Sequence, residues 1–359
     1  MNTYKSIIAL LVLIATVYCT DSTFVVGNGA GLFYKFDTTS QVATCINAAG
    51  SVVSTINLPC VPTSASITAV ANVAVVTGIQ AGANVIATVN LATGVVVNIA
   101  TTAVAQIVAG VREDFVITAS GLCYNRLSLN DFSASQVVIC TPSPTRLLGL
   151  LDDETAVVVT AGASVRVGTF NIRAFADVSV SATVNILTGT ISGTVLLARN
   201  GFIYVTSTAG VLTRYVVNNL SLVLSSSINL GVSGNIQLAA DVCNNQIITA
   251  VGSNLLGVTV SQVNLNTFVA VSVAPINISL NLLGLLNINL GLNLGLNIGI
   301  RAAVSGSSLL LLNGNNNCCI GTSGGLQCNG QVRNSNLSLS SLSTCAIVNT
   351  GLNLGVSIN

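Results

Sequence analysis

One short pattern recurs along the chain and constrains its fold more than any other feature. An apolar run and a polar turn lead into a β-branched run ending in Thr or Asn, and a turn containing Gly follows. The copies read ANVAVVTG, EDFVITASG, DETAVVVTAG, NGFIYVTSTAG, NNQIITAVG and SSLLLLNGN, with STFVVGNG at the front. Their marker residues are Thr77, Thr118, Thr160, Thr206, Thr249 and Asn313, and Gly27 takes that place in the front copy. Successive markers stand 50, 41, 42, 46, 43 and 64 residues apart. A period of this length means one supersecondary unit per repeat, which cannot bury its apolar face until neighbours stack on it.

After each marker comes an alternating strand, a polar turn and a further strand, as in GLFYKFDTTSQVATC, VIATVNLATGVVVNI and LTRYVVNNLSLVLSSSI. Period-two alternation, β-branched enrichment and evenly spaced turn residues predict an all-β protein. Four short strands per unit of about 40–45 residues is the pattern of a β-propeller, whereas the rungs of a β-solenoid would be nearer 20 residues. Each later unit has an apolar strand before its polar turn, and the front copy does not. The C-terminal CAIVNTGLNLGVSIN supplies a surplus strand. Pairing it with the first unit would close the ring and hide an edge that otherwise invites aggregation. The expectation is a single domain over residues 20–359: a seven-bladed β-propeller closed by pairing of its N- and C-terminal strands.

Ile203-Tyr204-Val205-Thr206, followed by Val211 to Val217, Asn218, Asn219 and Leu222, resembles the YVTN type of β-propeller repeat. In that family "YVTN" is followed by a strand and a turn. The match is close in this unit and one of pattern in the other six. The His and Trp-Asp signatures of WD40 repeats are missing. The resemblance implies a propeller, and a scaffold role in secreted or cell-surface proteins rather than a reaction.

The long interval from Thr249 to Asn313 carries its excess at residues 276–300, where INISLNLLGLLNINLGLNLGLNIGI reads as a Leu/Asn/Gly-rich β insertion between two blades. From Asn287 to Ile300 Leu or Ile alternates with Asn or Gly, so one face is apolar and the other is amide or bare. As one strand this stretch would be roughly 45 Å long, more than twice the usual length, so a hairpin turning near Gly284 or Gly291 is expected. Its uniform sides specify pairing register weakly. No charge interrupts it, which suits cross-β association between chains. The alternative is that its apolar face packs on the side of the propeller.

Residues 1–19 read as a secretory signal: Lys5 opens it, Ile7 to Tyr18 is apolar but too short to span a bilayer, and small residues precede a cleavage point after Cys19. A secreted, extracellular protein follows, without membrane insertion. Charged residues make up 6% of the chain against a norm of about 25%. The net charge is +1, and the few basic residues are scattered, so nucleic acid is excluded as a partner. Near-zero charge removes the repulsion that keeps proteins apart, so self-association is expected.

Chemistry is scarce. Without His the usual proton carrier at neutral pH is missing, and a three-His zinc centre is impossible. No catalytic residue and no cofactor site are assigned. Glu113 and Asp114 in one unit, and Asp152, Asp153 and Glu154 in the next, form a weak calcium candidate, with simple turn polarity as the alternative. The Gly-rich GNGAG at 27–31 is not followed by a helix and reads as a strand-joining turn. Cys123 with Cys140, Cys328 with Cys345, and Cys45 with Cys60 are spaced to close hairpins as disulfides. Cys243, Cys318 and Cys319 are then left unpaired, joined between molecules, or (for the last two) closed as a vicinal ring. Asn219, Asn277 and Asn336 head N-glycosylation triplets. Taken together, these features lead to the expectation of a secreted, non-enzymatic structural protein that self-associates in an extracellular matrix, coat or adhesive secretion. The alternative is an extracellular propeller that binds a glycan or protein ligand.

Overall fold

A computed structural model describes residues 23–334 except 29, 68–72, 112–114, 121–122, 133–136, 141–144, 151–154, 161–164, 172–175, 185–194, 200–201, 207–208, 219–220, 233–234, 241–246, 255–256, 277–300, 306–307, 314–315 and 322–324. The signal segment 1–19, the insertion beyond residue 276, the C-terminal strand, the acidic calcium candidates, the three sequon asparagines, Cys243 and Cys345 therefore lie outside the described residues.

The described chain is a succession of antiparallel up-and-down meanders. The first holds β1 (Thr23–Gly27), β2 (Phe33–Asp37), β3 (Val42–Ile46) and β4 (Val52–Asn57). The second holds β5 (Val61–Ile67), β6 (Val73–Gln80), β7 (Ala83–Asn90) and β8 (Val96–Thr102). The third holds β9 (Ile107–Val111), β10 (Phe115–Ser120), β11 (Cys123–Ser128) and β12 (Val137–Cys140). An eight-stranded sheet then combines two meanders. One is β13 (Thr145–Leu150), β14 (Thr155–Thr160), β15 (Val165–Asn171) and β16 (Ala176–Val184). The other is β17 (Val195–Arg199), β18 (Phe202–Thr206), β19 (Val211–Asn218) and β20 (Ser221–Asn229), and a parallel bridge between Gly149 and Ala198 joins the two. Next come β21 (Asn235–Ala240), β22 (Ile247–Asn254), β23 (Gly257–Asn264) and β24 (Val269–Ile276). The last meander has five strands, β25 (Arg301–Ser305), β26 (Ser308–Asn313), β27 (Asn316–Gly321), β28 (Leu326–Cys328) and β29 (Gln331–Asn334).

Local chemistry sets the turns. Ala81 and Gly82 both have positive φ between the paired ends Gln80 and Ala83, and Asn329 and Gly330 do the same between Cys328 and Gln331. Two left-handed residues give a hairpin turn whose twist matches that of the strands. The similar segments VNLATG and VNLNTF use an Asx turn: Asn90 Oδ1 accepts the Ala92 and Thr93 N–H groups, and Asn264 Oδ1 accepts those of Asn266 and Thr267. Gly94 closes the first of these turns at φ +71°, while Phe268 closes the second at φ +52°, a conformation that costs a side-chain-bearing residue free energy. Its buried ring offsets that cost. The Arg214 guanidinium lies 4.4 Å from the Phe268 ring centre and 4.6 Å from that of Phe202, in a cation–π sandwich between adjacent meanders.

The core lies between sheets, not within one. Phe24, Val26, Tyr34 and Phe36 face Ile67, Val76 and Val89 of the second meander. The alternate residues Val25, Phe33 and Ile46 point the other way, onto Leu310, Leu312 and Cys319 of the last meander. Val75 and Ile86 meet Val116, Leu127 and Phe132 of the third, and Tyr204 and Leu212 meet Val263 and Phe268 further along. A sheet covered on both faces needs apolar residues at consecutive positions. This accounts for strand runs such as VAVV and SLLLL, and for the rarity of charge.

Most first strands lie against the next one in the chain, β1 on β5, β5 on β9, β13 on β17, β17 on β21 and β21 on β25, and β25 lies on β1. The first and last meanders thus meet without exchanging a described strand. The Ser305 hydroxyl donates to Asn28 Oδ1 at 3.1 Å and accepts the Gly31 N–H at 3.0 Å. At the other end of this seam the Gly330 N–H donates to the Ala49 carbonyl. The front copy departs from expectation. Its marker Gly27 ends the first strand of its meander, whereas the other six markers lie on second strands. The front meander therefore has four strands of its own, and the expected pairing with the C-terminal strand concerns residues outside the described ones.

Candidate functional site

The cysteines are the most chemically distinctive side chains, and strand register decides their pairing. Cys123 and Cys140 occupy directly opposed positions of β11 and β12 and are bonded. Cys318 opposes Cys328 across β27 and β28, and these two are bonded. That corrects the expected Cys328–Cys345 bridge and removes Cys318 from the leftover thiols. The short hairpin around the Asn329–Gly330 turn brings Cys328 back beside β27, which residue spacing alone does not reveal. A vicinal ring is also ruled out, since consecutive strand residues face opposite ways. Cys319 points into the seam with the first meander, and its thiol donates to the Asn47 carbonyl at 3.5 Å.

Cys45 and Cys60, expected to be bonded, are separate buried thiols. Across β3 and β4 the residue opposite Cys45 is Ser54, and Ser54 and Tyr34 hydrogen-bond the Cys45 sulfur. Cys60 follows β4 and packs against Gly78 on β6, where a Cβ would stand 2.7 Å from its sulfur. Burial raises all three free thiols, Cys60 to about 11 and Cys319 to about 12. Burial, then the neighbouring Cys45, also pushes the Tyr34 hydroxyl well above its usual range. Groups held neutral in this way are poor nucleophiles.

One cleft, of about 450 Å³, opens between the second and third meanders. Its floor is Ile86 from β7, Leu127 from β11 and Phe132 beyond it, all buried. Amide and hydroxyl groups come from Gln106, Asn125, Thr101 and Ser120, and Val104 and Val138 stand exposed at its rim. The Thr118 hydroxyl donates to Gln106 Oε1 at 2.5 Å, which fixes the amide at the cleft wall. This also explains one repeat marker: a buried Thr on the second strand reaches back to the segment leading into the first. Thr77 instead reaches the first strand itself, 3.5 Å from the Ser64 carbonyl on β5. No charged side chain among the described residues lines the cleft. The described lining can desolvate apolar groups and hydrogen-bond neutral ones, and it includes no acid, base or metal ligand. Among the described residues no group of three His, Cys, Asp or Glu side chains could hold a metal ion. The cleft escaped the sequence reading because its lining comes from two repeats. The buried Gln106 ahead of β9 was the one available signal.

The fold is that of the β-propeller proteins. The β-propeller domain of Cps50 (Swd1) from Myceliophteria thermophila superposes with a TM-score of 0.52 at 10% identity, covering 82% of this chain and 94% of that domain. KlAtg21, solved with the coiled coil of AgAtg16, gives 0.54 at 10% identity, covering 83% and 93%. KlHsv2, with its loop 6CD replaced by a Gly-Ser linker, gives 0.52 at 9% identity, covering 86% and 98%. At such identities the likeness concerns architecture alone. No protein-family model matches the chain, and no curated protein matches it in sequence.

Proposed function

We propose that this is a secreted, non-enzymatic structural protein: a seven-bladed propeller of YVTN-like repeats that associates with copies of itself in an extracellular matrix, coat or adhesive secretion. Seven blades follow from treating the eight-stranded sheet as two meanders, with closure through the packing of β25 on β1. Disulfides favour an oxidising compartment. The absence of His from the whole chain favours a role without proton-transfer chemistry.

The observation that carries the self-association reading is the character of the outermost strands. Val52 and Val53 on β4, and Val96, Val97 and Ile99 on β8, are exposed. So are Val138 on β12, Val223 and Leu224 on β20, and Val269 on β24. Among the described residues each of these strands ends its sheet and pairs on one side only. Proteins usually blunt such edges with Lys, Pro or bulges. Here they carry aliphatic side chains, on a molecule whose net charge of +1 offers little repulsion. With Cys318 bonded and Cys319 buried, neither of these two cysteines is free to join chains through these surfaces.

Sedimentation velocity of the purified chain over a range of concentrations and salt tests the reading. Apolar association should give oligomers that persist or grow at 1 M salt, where ionic contacts are screened beyond about 3 Å. A monomer at every concentration and salt would reject it. The uncharged cleft favours a second reading, in which the propeller binds a neutral glycan or peptide. Saturable binding on a glycan array by monomeric protein would favour that reading instead.

A further inference from the structure

We propose that the cleft between the second and third meanders receives the Leu/Asn-alternating segment, residues 277–300, of a second copy of the chain, added as a strand along β8. This rests on the self-association reading and names its surface.

The cleft lies where an added strand could be held. It runs along residues 100–104, the end of β8 and the link beyond it, and β8 pairs only with β7. Among the described residues the backbone groups on its other edge therefore have no strand partner. Adding an extended segment to such an edge uses main-chain hydrogen bonds for affinity and alternate side-chain pockets for selectivity. The apolar floor of Ile86, Leu127 and Phe132 accepts alternate aliphatic side chains. Gln106, Asn125 and Thr101 supply the amides and hydroxyl that Asn side chains of the opposite face would need. The volume is within the roughly 300–1,000 Å³ of ordinary binding clefts.

The occupant is indicated by charge, period and position. Among the described residues no charged side chain lines the cleft, and none occurs between Val242 and Ile300, so docking costs these groups no charge's hydration. The segment alternates with the period of a strand, as an edge of this kind requires. It begins directly after β24, the outermost described strand of its own sheet. At about 3.3 Å per extended residue it can project roughly 40 Å and return, far enough to reach a neighbouring molecule. A segment of one copy in a cleft of the next is a head-to-tail contact, which builds rings or open filaments rather than closed dimers.

Two variants of the full chain test this. One carries Val104→Lys and Val138→Lys at the exposed cleft rim, and the other carries Leu290→Lys, Leu292→Lys and Leu294→Lys in the segment. Circular dichroism first establishes that both retain the parental strand content. In sedimentation velocity each variant alone should associate at least about tenfold more weakly than the parent. An equimolar mixture should recover one-to-one pairs, because the first supplies an intact segment and the second an intact cleft. If the parent associates and the cleft variant does so equally well, the proposal is overturned while self-association stands. Failure of the mixture to pair also overturns it, including the case in which each chain fills its own cleft. A parent that stays monomeric removes both readings.

Discussion

Cys45, Cys60 and Cys319 are buried thiols without disulfide partners, and each is held protonated because its thiolate would lose its hydration. Alkylation at pH 8 followed by peptide mass mapping should leave these three unlabelled in the native protein and label them in denaturant. Cys123, Cys140, Cys318 and Cys328 should take label only after reduction. Native labelling of Cys60 or Cys319 would contradict the packing described. The same raised values link stability to pH. The unfolded thiols lose their protons near pH 9, the folded ones near 11 for Cys60 and 12 for Cys319. Their neutral burial therefore contributes in full below about pH 9 and is lost as pH rises through 11 and 12. Urea midpoints should fall between pH 9 and 11, and fall less in a Cys60→Ala, Cys319→Ala variant. The fate of individual cysteines was only partly legible in the sequence. Cys123 and Cys140 end a simple hairpin, so spacing suffices. Cys318 meets Cys328 only because β28 is three residues long and returns at once, a register that no period announces.

At the level of strands and turns, position decides what a glycine does. Gly50 and Gly82 both sit in hairpin turns with positive φ, +77° and +84°. A Cβ on Gly82 would meet nothing within 4 Å, whereas one on Gly50 would collide with the Asn317 carbonyl of the last meander. Gly82→Ala should cost only the backbone strain, about 1 kcal/mol. Gly50→Ala adds overpacking across the seam and should cost about 2–4 kcal/mol. Chemical denaturation of the two variants separates the contributions, and equal losses would mean that the seam is not tightly packed. The element pattern itself was readable because period-two alternation and Gly or Asn turns are local signals. Six of the seven markers fall on second strands for that reason. Gly27 does not, because TFVVG resembles a second strand in sequence while its place beside β5 and β25 is set by packing.

For the whole molecule, the consequential contact is the one that sequence order cannot supply. Consecutive meanders are joined by the chain itself, but the first and last are joined only through their seam among the described residues. Val25, Phe33 and Ile46 meet Leu310, Leu312 and Cys319 there, and the Asn28–Ser305 and Ala49–Gly330 hydrogen bonds flank them. Removing part of this cluster should loosen the two ends of the array before its middle, since a repeat held on one side resembles a terminal unit of a solenoid. Leu310 is fully buried, and Leu310→Ala should cost about 2–5 kcal/mol. Val97→Ala on the exposed outer strand should stay within about 0.5 kcal/mol. Hydrogen exchange gives the spatial readout. In Leu310→Ala, protection should fall together in residues 23–57 and 301–334, although they are distant in sequence, while 202–230 keeps parental protection. Loss confined to 301–334 would mean that the two ends fold independently. In that case the packing of β25 on β1 would contribute nothing to holding the array together.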